Sequence, residues 1–289
     1  TSLDIARASA EFKGETNVLF ESAGTVVNRQ FTGASDTWEN GGDVNFPYRS
    51  ITSASASSGA SGYTISHTTV GENRCLVVVL QANAQFPDPS SVTYAGASMT
   101  KAGSVVGAGA GSTSVAVYYL ANPTIGTNNI VLSGWNTGSG NFTAGHVAIM
   151  SAINLVGIDQ DSPVRNTETT STTATSITDD ITTVAGDLVI AALTVDDGPT
   201  ITAGANQTEI YDVIGSGDYS YNISTETATT TTTTMSYSFG ASEPGRMVSV
   251  AFVPGRSGDE ASVALDMITH KNKLIALVAE EETHEVFTS

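Results

Sequence analysis

Two loops of this sequence carry closely spaced carboxylates, the side chains that bind hard cations. Asp159 and Asp161 are separated by one residue, and Asp196 and Asp197 are adjacent. Ca²⁺ takes about six to eight oxygen ligands in flexible geometry, and such loops can supply several of them. Neither pair belongs to a complete helix-flanked calcium loop, so solvated turn aspartates are the simpler interpretation. The sequence therefore predicts no cofactor, with a structural Ca²⁺ at these four aspartates as the alternative.

The other residue types with catalytic potential form no recognised motif. The four histidines, His67, His146, His270 and His284, have no ligand partner at the close spacing of metal motifs. Gly107 and Gly109 precede a strand-like segment, whereas a phosphate-binding loop needs a following helix N-terminus. Cys75 is the single cysteine, lies inside an apolar run and excludes an intrachain disulfide. The sequence predicts no catalytic residue and a protein that is not an enzyme.

Three aromatic residues could stack on sugar rings. They are Trp135, Tyr219 and Tyr221, which lie in or beside polar, turn-rich segments. Aromatic rings of this kind are more often core or interface anchors, because their large apolar area stabilises packing. We keep glycan stacking at these three positions as the alternative interpretation.

Charge excludes nucleic acid as a partner, and the pattern of apolar residues excludes membrane insertion. Lys and Arg number 11 against 29 Asp and Glu, which gives a formal net charge of −18. Such a surface repels phosphate backbones, so no nucleic acid is expected as a partner. No stretch reaches the roughly 18 apolar residues of a membrane-spanning helix, so no membrane insertion is expected either. The acidity is explained most simply by solubility.

The candidate carboxylates and aromatic residues must be positioned by β-strands. Residues 74–82 form the most continuous apolar run, which is rich in β-branched side chains and typical of a strand buried on both faces. Residues 188–195 form a second such run. From residue 63 onward, alternating segments and turn residues recur at the spacing of a sandwich. The pattern predicts an all-β protein with an antiparallel β-sandwich.

The composition divides the chain into three segments. Residues 1–48 form a predicted docking arm, 49–255 the β-sandwich domain, and 256–289 a C-terminal tail. The apolar positions of the tail fall near helical spacing and predict a helix, with a hairpin turning at Lys271 and Asn272 as the alternative. Apolar faces outside the core need a partner. The predicted docking residues are Leu3, Ile5, Leu19, Phe20, Leu265, Ile268, Leu274, Ile275 and Val278.

A series of short motifs follows one order from about residue 50 to residue 254. After a Ser/Ala-rich lead, the motifs are 65–68, 73–78, 92–96 with 99–100, 117–120 with 122–123, 157–160 with 162–163, 185–189 and 251–254. This series resembles a Ser/Thr/Gly-rich β-sandwich module of secreted bacterial proteins and bacteriophage structural proteins. The resemblance implies a jelly-roll-type sandwich without a known catalytic site. The two flanking segments lie outside it.

These observations predict a structural protein that functions as part of an assembly. We expect a homo-oligomeric or capsid-bound subunit displayed on a virion surface, such as a phage capsid decoration protein or a fibre-like subunit. Its partners would be other protein subunits, held by the arm and the tail. Two alternatives remain: a secreted carbohydrate-binding module that contacts cell-surface glycans, and an extracellular filament subunit joined by strands donated from residues 1–48.

Overall fold

A computed structural model describes residues 18–22, 25–29, 50–57, 62–82, 89–107, 113–134, 147–215 and 219–255. The chain divides into two units, one of Thr1–Val44 with Ser257–Ser289 and one of Asn45–Arg256. In the first unit, the described residues form an antiparallel hairpin of β1 (Val18–Ser22) and β2 (Thr25–Arg29). This hairpin is a two-stranded sheet of its own.

All other described strands belong to the second unit and pair antiparallel. They are β3 (Ser50–Ser57), β4 (Gly62–Thr69), β5 (Cys75–Ala82), β6 (Ser91–Tyr94), β7 (Ala97–Ser98), β8 (Thr100–Val106), β9 (Ser114–Ala121), β10 (Gly126–Ser133), β11 (Val147–Leu155), β12 (Val164–Thr182), β13 (Leu188–Val195), β14 (Thr202–Ala203), β15 (Thr208–Gly215), β16 (Tyr219–Thr227) and β17 (Thr232–Phe252).

Three sheets are built from these strands. The outer sheet has the order β4-β10-β6-β7, the central sheet β3-β11-β5-β9-β8, and the long sheet β12-β17-β13-β16-β15 with β14 paired to β17. The outer and central sheets enclose one core, to which β5 contributes Leu76, Val78 and Leu80. Alternate residues of a strand face opposite sides, so these three side chains share one face of the central sheet. We call this pair of sheets the first sandwich.

The opposite face of the central sheet packs on the long sheet. All eight residues of β5 are buried, as expected for a strand covered on both sides. Gln81 lies in this interface, where its Nε2 donates to the carbonyl oxygens of Leu193 at 2.7 Å and Asn222 at 3.2 Å. Gly103 of β8 lies against the side chains of Thr167 and Val248. The central sheet is therefore the middle layer of the second unit.

The long sheet folds over itself to enclose a second core. β12 and β17 are 19 and 21 residues long, and their pairing slips between Ala174 and Ser176. Beyond that slip, Ile177, Tyr237 and Phe239 pack with Leu193 of β13 in one core cluster. The far halves of β12 and β17 thus cover the face of β13 that points away from the central sheet. We call this closed part the second sandwich.

The segment between the two sandwiches is fixed by backbone hydrogen bonds. Ile158 donates its N–H to the oxygen of Asn73 at 2.8 Å, and Asp159 donates to the oxygen of Val253 at 2.9 Å. These bonds join the segment to the turn before β5 and to the residue that follows β17. Since both sandwiches contribute a partner, the connection is held at both ends.

The structure confirms the predicted all-β fold with antiparallel sandwich sheets. It also confirms both doubly buried strands, as β5 and β13. One expectation differs: the spacing from residue 63 onward predicts short strands throughout, whereas Thr232–Phe252 is a single strand of 21 residues, β17. The helix predicted for the tail lies outside the described residues. Within the described residues, no helix has the length and hydropathy to cross a membrane.

Candidate functional site

Two sequence-predicted residues, Asp196 and Tyr219, meet where β13 ends and β16 begins. The hydroxyl of Tyr219 hydrogen-bonds the carboxylate of Asp196. Asp197 follows Asp196, and Glu243 and Arg246 approach from β17, since their charges act on this pair. We call Asp196, Asp197, Tyr219, Glu243 and Arg246 the acidic corner. It combines carboxylates from a turn and a strand with one phenol and one guanidinium.

A left-handed turn forms the acidic corner. Asp197 has φ 58° and Gly198 φ 59°, a conformation that Asp and Gly adopt at low cost. The N–H of Asp196 donates to the oxygen of Pro244 at 3.0 Å, which ties the turn to β17. Its own carboxylate Oδ1 accepts the N–H of Asp197 at 3.1 Å. Asp196 is 9% exposed, so the turn holds a largely buried carboxylate beside an open rim.

The electrostatics of the acidic corner raise the pKa values of two of its carboxyls, Asp196 and Glu243. Burial raises the pKa of Asp196, the charge of Asp197 adds to this, and the hydrogen bonds and Arg246 oppose it. Desolvation and the neighbouring charges of Asp197 and Asp196 also raise the pKa of Glu243. Burial lowers the pKa of Arg246, against the attraction of Asp196. A hydrogen-bond donor or a positive charge would therefore stabilise the acidic corner.

Arg246 joins the acidic corner to the interface between the sheets. Its NH1 donates to the oxygens of Thr172 at 3.2 Å and Gly245 at 2.7 Å, while its buried Nε has no hydrogen-bond partner. A Cβ at Gly107 would lie 3.2 Å from this Nε, a tight approach, so the backbone at this glycine packs closely beside the guanidinium. The backbone after β8 thus packs on the arginine that faces Asp196.

Planar polar groups beside an aromatic ring can hydrogen-bond a polyhydroxylated ligand. Carboxylates accept from hydroxyl groups, guanidinium groups donate to them, and a phenol does both. Within the described ranges, no three or more His, Cys, Asp and Glu side chains are arranged as a metal-ligand group. The acidic corner is a candidate polar binding site on these grounds.

The other predicted calcium pair has a local structural role. Asp159 Oδ1 accepts the N–H of Asp161 at 2.9 Å and of Ser162 at 2.8 Å. An aspartate that caps its own turn in this way stabilises the loop. Asp161 and Ser162 are exposed. These contacts account for Asp159 without a cation.

The predicted glycan-stacking residues have different surroundings. Tyr221 is fully buried, and burial raises its pKa, so its ring does not face solvent. Tyr219 is half-buried at the acidic corner. Trp135 lies outside the described residues. Glycan stacking therefore depends on Tyr219 among the described residues of this set.

The predicted docking residues fall mostly outside the described part. Leu19 and Phe20 lie in β1, opposite Asn28 and Val27 of β2. The remaining ones, Leu3, Ile5, Leu265, Ile268, Leu274, Ile275 and Val278, lie outside the described residues. Docking through both ends of the chain remains a prediction.

Cys75 and His67 are buried members of the first sandwich. Cys75 has no exposed surface, and burial raises the pKa of its thiol to about 12, which disfavours the reactive thiolate. His67 of β4 is also buried, and burial lowers its pKa. Neither residue is positioned as a surface nucleophile or base.

No family model, curated protein or solved structure matches this chain. The resemblance to secreted and phage modules therefore remains a prediction from the residues. The candidate site at the acidic corner is inferred only from the arrangement of its residues.

Sequence reasoning found only part of the acidic corner. The pair Asp196 and Asp197 is visible as adjacent acids, but Glu243 and Arg246 lie about 46 to 50 positions away in another strand. Their one local signal is the run of Glu243 to Arg246 around Pro244 and Gly245, which places charges inside a segment otherwise typical of a strand. Such a signal marks an irregular strand and says nothing about its partner.

Proposed function

We propose that this protein is a non-enzymatic structural subunit that joins other subunits by edge-strand addition. Its concrete form would be a virion component of a phage, as a capsid decoration protein or a fibre-like subunit, displayed on the particle surface. The observation that carries the proposal is the condition of the sheet edges in the first sandwich. An open edge strand is a template for pairing with another chain, and proteins that avoid pairing protect it.

Two edges of the first sandwich lack such protection. Among the described strands, β3 pairs only with β11, and β4 only with β10. Both pairings are unbroken over eight residues, and neither strand contains Lys, Arg, Asp, Glu or Pro. Regular, uncharged edges of this length accept an added strand readily.

The edges elsewhere carry the features that prevent addition. β8 has a register shift at Lys101, and β15 has one after Glu209, with Asp212 beyond it. β12 is irregular at two points and carries Arg165, and β7 is only two residues long. Bulges, charges and short strands are the usual protections of a sheet edge. The contrast identifies β3 and β4 as the edges suited to a partner.

The same chain carries a suitable donor. Among the described strands, β1 and β2 pair only with each other, and an isolated two-stranded hairpin is at best marginally stable in water. Adding a third strand would stabilise it. Donation from one copy to β3 of the next is a head-to-tail contact, which generates rings or filaments. Homo-oligomeric assembly follows from this arrangement.

Proline variants of the full chain test the acceptor edge. The N–H groups of successive residues in a strand point to opposite sides. Proline removes the N–H of its own residue, so Thr52→Pro and Ser53→Pro act on opposite sides of β3. One of them removes an N–H that points to β11, and the other removes an N–H that points to the open edge. Loss of a hydrogen bond to β11 lowers the urea midpoint, whereas loss of an unpaired N–H does not. The variant that keeps the wild-type midpoint is therefore the edge variant, and the other proline variant is its matched control. Val27→Pro disrupts the donor hairpin. Light scattering after gel filtration measures the mass of each.

Wild-type chain is expected to assemble, and the edge variant and Val27→Pro to remain monomers. Mixing these two variants should give a heterodimer and nothing larger, because one intact hairpin then meets one intact edge. Assembly by the edge variant alone would disprove β3 as acceptor. A wild-type chain that stays monomeric and binds no particle or filament from its source would disprove the structural role.

A second function, glycan binding by a secreted module, is favoured by the acidic corner. A half-buried tyrosine beside carboxylates and an arginine suits a sugar ring and its hydroxyls. A glycan array should then show binding that is lost in Tyr219→Ala and kept in Tyr63→Ala, which changes a half-buried tyrosine of β4. Equal binding by both variants would place any glycan elsewhere.

A further inference from the structure

Four oxygen-bearing side chains meet inside the second sandwich. Glu168 is the direct cross-strand neighbour of Ser249, and Thr170 lies two residues along β12 on the same face. Asp179, from the far half of β12, faces the hydroxyls of Ser249 and Thr170. We call Glu168, Thr170, Asp179 and Ser249 the oxygen pocket. It is separate from the acidic corner and from the loop of Asp159.

Asp179 is a carboxyl in an apolar layer. It alternates with Ile177 and Ile181, which belong to the second core, and it is 7% exposed. Its Oδ2 has no hydrogen-bond partner. Burial raises its pKa, the hydroxyls of Ser249 and Thr170 oppose this, and the negative charges of Glu168 and Asp180 add to it. A carboxylate at this depth is unfavourable unless a positive charge compensates it.

Ser249 adds a second observation. It lies between Met247 and Ala251 of the second core and is fully buried. Its hydroxyl is a hydrogen-bonding neighbour of the Asp179 carboxyl, but its Oγ has no partner at normal hydrogen-bond geometry, although buried hydroxyl groups nearly always have one. The pocket therefore holds two buried oxygen atoms, Asp179 Oδ2 and Ser249 Oγ, that a further group could satisfy.

We propose that the oxygen pocket binds a Ca²⁺ ion. Hard divalent cations prefer carboxylate and neutral oxygen ligands, and Ca²⁺ tolerates irregular geometry completed by water, whereas Mg²⁺ requires a near-ideal octahedron. Two carboxylates match the charge of the ion, and two hydroxyls add neutral oxygens. The site goes beyond the structural role proposed above and does not depend on it.

The surroundings of Glu168 fit a ligand of this kind. Glu168 is half-buried on an edge strand, so one side of the pocket is accessible to solvent. Asn166 Nδ2 donates to Glu168 Oε1 at 3.1 Å, which orients the carboxylate while its other oxygen stays available. Neighbours that orient a ligating carboxylate are a general feature of metal sites. Asp180 binds Thr234 on the outer face at 2.6 Å and contributes negative potential.

Calcium titration of the metal-depleted full chain tests the site. At a Ca²⁺ concentration about 100-fold above Kd, the unfolding temperature should rise by roughly 5 °C or more, followed by calorimetry. Asp179→Asn has nearly the same shape and removes the buried charge, so it should fold and lose the response. Asp180→Asn is the matched control: it removes a neighbouring charge on the outer face without removing a ligand, so it should keep the response at somewhat lower affinity. Asp196→Asn reports on the acidic corner.

Each result decides the proposal. A response in wild type, Asp180→Asn and Asp196→Asn that is absent in Asp179→Asn supports it, and reduced affinity in Ser249→Ala supports it further. A response lost in Asp196→Asn but kept in Asp179→Asn overturns it in favour of the acidic corner. No response to Ca²⁺ in wild type also overturns it and leaves Asp179 as a buried protonated acid.

Discussion

At the scale of single residues, Asn154 replaces a missing piece of backbone pairing. It is fully buried at the end of β11, where its Oδ1 accepts the N–H of Val70 at 3.2 Å and its Nδ2 donates to the oxygen of Val70 at 3.1 Å. The side chain thereby bonds the residue after β4 as a neighbouring strand would. The outer and central sheets of the first sandwich are joined at this point.

Asn154→Ala should lower the free energy of unfolding by about 2–3 kcal/mol, because both backbone groups of Val70 lose their partner. Urea denaturation measures the change. Asn129→Ala, at an exposed position of β10, is the control and should change stability by less than about 0.5 kcal/mol. Equal effects of the two substitutions would show that the Asn154 bonds contribute nothing.

Gln81 is the residue that makes the contact between the central and long sheets specific. Its Nε2 donates two hydrogen bonds across the interface, while its buried Oε1 accepts none. A glutamate at this position could not donate when ionised and would face two carbonyl oxygens. A methionine would fill a similar volume, losing the two bonds and the unpaired oxygen together.

Gln81→Glu should be destabilised by about 3 kcal/mol or more at pH 7, and Gln81→Met by only about 1–2 kcal/mol. Burial would raise the pKa of the introduced carboxyl in the folded state, so the folded protein would hold its proton more tightly than the unfolded chain. The stability of Gln81→Glu should therefore recover as the pH falls towards about 4.3, whereas that of Gln81→Met should not. Urea midpoints at several pH values compare the two. A pH-independent difference would contradict a buried carboxyl.

At the scale of elements, the distance between β8 and β12 depends on Gly103. A Cβ built there would lie 2.6 Å from Thr167 Cγ2, closer than real side chains approach. The register of β8 also shifts between Lys101 and Gly103, so this strand is adapted to the surface of the long sheet. A side chain at position 103 should push the two sheets apart.

Gly103→Ala should cost about 1–3 kcal/mol of stability through overpacking. Thr167→Ser removes the methyl group that the new Cβ would meet, so the double variant Gly103→Ala with Thr167→Ser should recover most of the loss. A double-mutant cycle of urea midpoints gives the coupling energy. Additive effects would show that the two residues do not touch.

Elements were predictable where the local pattern decides them. The runs at 74–82 and 188–195 could be predicted as strands because each is short, continuously apolar and rich in β-branched side chains. All eight residues of β5 and of β13 are buried, as such runs indicate. The fold of β12 and β17 over β13 was not predictable, because it depends on a slip in pairing at Ala174 and on distant contacts such as that of Ile177 with Leu193. The acidic corner and the oxygen pocket are products of this fold. Their members are far apart in sequence, so spacing alone could not join them.

At the scale of the whole molecule, five carboxyl groups with raised pKa values set an unusual dependence on pH. Burial raises the pKa values of Asp179, Asp196, Asp212 and Glu226, and desolvation with neighbouring carboxylates does so for Glu243. A carboxyl with a raised folded-state pKa binds its proton more tightly in the folded protein than in the unfolded chain. Each such group therefore adds stability as the pH falls through its folded pKa, and loses that contribution as the pH rises.

Mild acid should therefore stabilise this protein, where many proteins begin to lose stability. His67 acts in the opposite direction, since burial lowers its pKa and the unfolded chain then takes up its proton first below about pH 6.5. Among the described residues, five carboxyls with raised pKa values oppose this one histidine. Titration of the net charge of −18 also removes repulsion, so both effects favour acid stabilisation. In metal-free buffer, the urea midpoint should be higher at pH 4.5 than at pH 7.5, and 0.5 M salt should reduce only the part that comes from net charge. Asp179→Asn should raise the midpoint at pH 7.5 and flatten the profile, because it removes one buried charge. A midpoint that falls steadily from pH 7.5 to pH 4.5 would mean that paired carboxylates dominate, and that the five carboxyls with raised pKa values do not control the stability of the fold.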